Sequence, residues 1–123
     1  MPSRDEALAL FKRRRQAWLG EDLDGYLALW ADDMRFQSPV HREPLDRAAF
    51  AELVRGSLAA ARPIAFEFLQ VATAGDTVLA EWRIEIERRA DGRRVAWHGM
   101  SVAEIRAGVI TAWREYWNPA DVR

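Results

Sequence analysis

A chain of 123 residues is long enough for one domain with a proper core, and half of its residues are hydrophobic while 30% are charged, an ordinary globular balance. Eighteen basic side chains against 19 acidic ones leave a net charge of −1, which argues against nucleic acid or an anionic membrane as the main partner. The absence of cysteine removes disulfides, thiolate nucleophiles and cysteine-type zinc sites from consideration.

The opening "MPSRDEALAL" carries acids where a secretion signal is apolar, and no apolar run approaches the roughly 20 residues of a membrane span, so a cytoplasmic protein is expected. The first predicted helix is capped by Ser3, with Glu6 three residues on, and runs to Gly20. Ala7, Leu8, Phe11 and Trp18 share one helical stripe. The basic run Lys12–Arg15 lies in that helix and reads as a solvated face rather than a nucleic-acid patch. Asp22 caps a second, shorter helix expected to carry Tyr26, Leu27 and Trp30. "MRFQSP" reads as a short strand ending at Pro39, and "VHREPL" as a loop. Asp46 caps a third helix with Phe50, Leu53, Val54, Ser57 and Leu58 at helical spacing, weakened modestly by Gly56.

From Pro63 the hydrophobic period changes to two. "IAFEFLQVA", "TVLAEWRIEIERR", "RRVAWHGMSVAEI" and "VITAWREYW" are four predicted strands, separated by turns at Gly75-Asp76, Asp91-Gly92 and Ala107-Gly108. Helices first and an antiparallel meander afterwards make an α+β single domain over residues 1–123, with the helices on one face of the sheet. Trp82, Ile84 and Ile86 alternate with Glu81, Arg83, Glu85 and Glu87, giving one buried and one wet or partner-facing side.

Helix, helix, short strand, helix and four long strands is the element order of the nuclear transport factor 2-like superfamily. "GEDLDGYLALWADDMRFQSPVHREP" and "AEIRAGVITAWREYWN" resemble the corresponding stretches of its SnoaL-like and ketosteroid isomerase-like members, and the similarity covers essentially the whole chain. The resemblance implies a cone: a strongly curved antiparallel sheet wrapped around three N-terminal helices, enclosing an apolar pocket. It identifies a fold better than a reaction, since this fold hosts isomerases, cyclases, dehydratases, epoxide hydrolases and non-catalytic proteins. The aspartate base of steroid isomerases falls on Ser38, and their oxyanion donors on Arg14 and Ser101, so that machinery is replaced. The epoxide-hydrolase pattern tempts at Arg83 and Glu85, but alternation places these on the charged face, with Trp82 and Ile84 turned inwards. Only Glu115 keeps a family acid position.

The resemblance also selects the inner face: Trp82, Ile84 and Ile86, then Trp97, Gly99 and Ser101, then Trp113, Glu115 and Trp117. An ionised carboxylate among tryptophans must be paired or carry a raised pKa. Glu115 is therefore expected either to pair with Arg14 from the first helix or to meet a ligand with it, as a general acid–base or as a structural tie. His41, after the "SP" at the expected pocket mouth, is a weaker candidate base beside Ser38. His98 falls on the outer face. Trp18, Tyr26, Trp30, Ser38, Trp82, Ile84, Trp97, Ser101, Trp113 and Trp117 are the expected ligand contacts, their flat aromatic walls suiting a small hydrophobic or ring-bearing molecule. No metal site and no cofactor motif is present in the sequence. A homodimer through the outer sheet face, including Arg83, Glu85, His98, Met100 and Tyr116, is expected. A non-catalytic binding protein or interaction module is the alternative to an enzyme.

Overall fold

The computed structural model describes residues 1–122. Its elements are α1 (Arg4–Leu19), α2 (Leu23–Leu27), β1 (Trp30–Gln37), α3 (Arg47–Ala60), β2 (Ala61–Ala74), β3 (Thr77–Arg88), β4 (Arg94–Arg106) and β5 (Val109–Tyr116), followed by a short 3-10 turn at Pro119–Val122. All three expected helix caps form. Ser3 Oγ accepts from Glu6 N–H, Asp22 Oδ1 from Gly25 N–H and Asp46 Oδ1 from Ala49 N–H, each satisfying a donor that the first helical turn leaves free. At the end of α1, Gly20 keeps a negative φ; the left-handed step falls on Glu21, at φ 54°.

The buried stripe of α1 is Ala7, Leu10, Phe11 and Arg14, at positions i, i+3, i+4 and i+7, with Leu8 half-buried at its edge. The second helix is shorter than its periodicity suggests. It ends at Leu27, and Trp30 opens β1 instead of closing the helix.

The sheet has five strands in the order β1-β5-β4-β3-β2 and is open. The meander β2 to β5 is antiparallel, with tight turns at Gly75-Asp76 and Ala107-Gly108; both residues of the latter have positive φ, 51° and 77°, the geometry that matches strand twist. The expected all-antiparallel sheet is corrected at one edge. β1 pairs with β5 in parallel, Phe36 opposite Trp113 and Gln37 opposite Arg114, so the sheet is mixed. No hairpin joins these two strands. The chain between them runs through α3 and three strands, which frees their relative direction from the antiparallel constraint of a short turn.

Helices and sheet enclose a core rich in aromatic rings. Phe11 stacks on Phe68 and meets Trp113 edge-on, while Trp30 packs against Phe50, Phe36 and Trp113. The indole of Trp82 lies over Gly99, where a β-carbon would come within 2.5 Å of the ring. Trp82 Nε1 donates to Ser101 Oγ at 2.7 Å, so this buried ring has its one polar atom satisfied.

Candidate functional site

Between α3, the ends of α1 and α2, and the inner face of the sheet lies a cavity of about 380 Å³. Glu115 reaches it because β5 alternates: Trp113 and Glu115 face inwards, while Arg114 and Tyr116 are exposed. The carboxylate is clamped by its neighbours on either side. Trp113 Nε1 donates to Oε1 at 3.0 Å, and Trp117 Nε1 donates to Oε2 at 2.7 Å. Burial pushes the Glu115 pKa above its ordinary 4.5, and the nearby Arg14 charge and the two indole hydrogen bonds only partly counter it.

Arg14 is 4% exposed and also lines the cavity. Among the described residues it forms no ion pair with Glu115 within 4.0 Å, and its Nε and Nη1 are buried without hydrogen-bond partners. Aromatic faces surround it instead. The guanidinium carbon lies 4.1 Å from the Trp113 ring centroid, 5.0 Å from Phe66, 5.3 Å from Tyr26 and 5.8 Å from Trp30. The fully buried Tyr26 has a raised pKa, chiefly from desolvation, against which the Arg14 charge acts.

At the other side of the cavity Ser38 and His41 form a second polar unit. Ser38 Oγ and His41 Nδ1 are 2.6 Å apart, Ser38 Oγ also accepts from Val40 N–H, and Gln37 Nε2 donates to the His41 carbonyl. The imidazole is thus held from its Nδ1 side, which leaves Nε2 as the nitrogen free for a ligand. No carboxylate among the described residues completes a triad on His41.

Of the expected contacts, Trp18, Tyr26, Ser38, Ile84, Trp97 and Trp117 line the cavity together with Arg14, His41 and Glu115. Trp30, Trp82, Ser101 and Trp113 do not; each is at most 3% exposed and packs behind the wall. Ser101, the position matching an oxyanion donor, is occupied in holding Trp82. On the outer face Glu85 accepts from Arg83 at 3.0 Å and Arg94 at 3.1 Å, and these hydrogen bonds, Arg83 first, hold its pKa below 4.5. Several wall residues were not singled out from the sequence as contacts, among them Phe36, Leu53, Val54, Ser57 and Phe66. The α3 stripe was visible as a period, but period alone does not separate a residue that packs from one that faces a void.

The family model for the SnoaL-like domain matches residues 11–113. No curated protein matches the chain at significant similarity. Solved structures of the same fold include a Bacillus subtilis protein provisionally described as an isomerase, at 23% identity and TM-score 0.88, covering 99% of this chain and 93% of that one. An LEH-like epoxide hydrolase of M. tuberculosis matches at 23% identity and TM-score 0.81, covering 98% and 89%. A hypothetical protein with ketosteroid isomerase-like fold from Catenulispora acidiphila, in complex with trimethylamine, matches at 17% identity and TM-score 0.81, covering 92% and 88%. At these identities the likeness is one of fold.

Proposed function

The chain belongs to the SnoaL-like family, and from that premise we propose that its cavity takes a small hydrophobic or aromatic molecule on which Glu115 moves a proton. The observation that carries this is the setting of Glu115: a carboxyl at an apolar cavity wall, oriented through both oxygens by Trp113 and Trp117, with its pKa raised by burial. A carboxylate whose pKa is raised is a stronger base than an ordinary one, suited to accept a proton from carbon or oxygen and to return it, as isomerase, cyclase, lyase and hydrolase steps require. Trp18, Trp97 and Trp117 supply flat walls for a ring, and Arg14 supplies positive charge for an oxygen that gains negative charge during the step.

The test is deuterium incorporation from D2O into enolisable ring ketones small enough for about 380 Å³. Wild-type protein is expected to accelerate the exchange, and Glu115→Gln to lose on the order of 100-fold or more while Trp fluorescence still reports binding. Equal exchange by both proteins rules Glu115 out as the proton carrier. A second reading, a non-catalytic binding protein, draws support from Ser38 and Ser101 standing where the steroid isomerases carry acids. Its signature is tight binding unchanged in Glu115→Gln with no exchange. The proposal extends to a homodimer through the outer sheet face, where Leu79, Met100 and Tyr116 are 40%, 49% and 59% exposed.

A further inference from the structure

Arg14 is a buried cation whose polar neighbours, the Tyr26 hydroxyl and Glu115, leave it without an ion pair. Two of its nitrogens find no acceptor, no carboxylate lies within 4.0 Å among the described residues, and four aromatic faces take the place of water. Ring quadrupoles offset part of the desolvation of a guanidinium, but they do not satisfy its N–H groups. The other polar groups on the cavity wall deepen this imbalance. Trp18, one turn after Arg14 on α1, also has a buried Nε1 without an acceptor. Ser57 Oγ donates to the Leu53 carbonyl, and both oxygens of Glu115 accept from indoles. Around Arg14 the cavity therefore offers N–H donors and a fixed positive charge, while the Ser38–His41 unit lies at its other side.

We infer that the natural ligand is an organic anion: a ring-bearing molecule whose carboxylate or phenolate oxygen faces Arg14 while its ring lies among Trp18, Trp97 and Trp117. The inference rests on the cavity being a ligand site and adds the charge of what fills it. Guanidinium is the donor best matched to a planar carboxylate, through two parallel N–H···O bonds. The apolar remainder of the wall, from Phe36, Val54 and Phe66, selects a small hydrophobic body rather than a free inorganic anion. Burial shifts Glu115 in the direction of its uncharged form, which weakens its repulsion of an anion.

Tryptophan-fluorescence and calorimetric titrations with 2-naphthoate and with its neutral methyl ester separate charge from shape. Wild-type protein is expected to bind the carboxylate at least tenfold more tightly than the ester, and Arg14→Gln to erase the preference. An ester that binds wild-type protein as well as the acid, or better, overturns the organic-anion assignment and leaves the cavity as a ligand site. Binding of neither at millimolar concentration overturns both. Should Arg14→Gln not fold, the acid–ester comparison on wild-type protein still decides, and Arg14→Lys, which keeps the charge but not the fork, is expected to retain part of the preference.

Discussion

Each oxygen of Glu115 accepts one indole N–H, so hydrogen bonding and desolvation act on this acid in opposite directions, and desolvation wins. The sign for stability follows. Below pH 4.5 the group is neutral in both folded and unfolded chains and adds nothing. As the pH rises past 4.5 the unfolded chain ionises first, and the folded state loses stability until its own raised pKa is passed. Glu115→Gln, which has no such titration, is expected to gain stability relative to wild type as pH rises through this window. Denaturant unfolding at a series of pH values checks it, and a pH-independent difference counts against a buried acid with a raised pKa. Ser101→Ala is a second expectation at this scale. It strands the Trp82 N–H in the core and is expected to cost about 1–3 kcal/mol, whereas the isosteric Ser101→Cys keeps a weak acceptor and costs less. The inward direction of Glu115 was legible only through resemblance, since strand periodicity fixes two faces without naming which is inside. That Arg14 forms no ion pair with Glu115 was not legible at all. Whether a buried charge meets a carboxylate or a set of ring faces depends on distances between elements far apart in sequence.

Among the elements, the caps and turns were the most readable, because Ser3, Asp22, Asp46 and the three glycine turns act on atoms within four residues of themselves. Long-range features were not. The parallel partner of β1 and the start of that strand at Trp30 are decided by β5, some eighty residues later. Gly56 of α3 is exposed, and a β-carbon there meets nothing within 4 Å, so Gly56→Ala is expected to stabilise by about 0.5–1 kcal/mol through helix propensity and unfolded-state entropy. Thermal unfolding reads this directly, as a rise of a few degrees. Gly99→Ala is the opposite case. Its β-carbon meets the Trp82 ring at 2.5 Å and the Tyr116 carbonyl at 3.0 Å, and a loss of about 1–3 kcal/mol is expected from the displaced indole. Equal effects of the two alanines would mean that packing across β3 and β4 does not constrain the chain.

At the level of the whole molecule, the outer sheet face combines the Arg83–Glu85–Arg94 cluster with apolar residues, exposed Leu79 beside half-buried Val102 and exposed Met100 beside exposed Tyr116. Sedimentation at micromolar concentration is expected to show a dimer, with Met100→Glu shifting it towards monomer and leaving the cavity's ligand affinity intact. A monomer in the unmodified protein would remove this face as an interface. The order of the strands has a different consequence, in time rather than in space. β5 lies between β1 and β4, so on the ribosome β1 is made early and has no neighbour until the last strand of the sheet leaves the exit tunnel. Through that interval Trp30 and Phe36 can pack on Phe50 of α3, but the sheet-side cover that Trp113 gives Trp30 is missing. The nascent chain should therefore be a chaperone client until its final strand is released, and a stalled chain lacking β5 should have neither a sealed core nor a binding cavity.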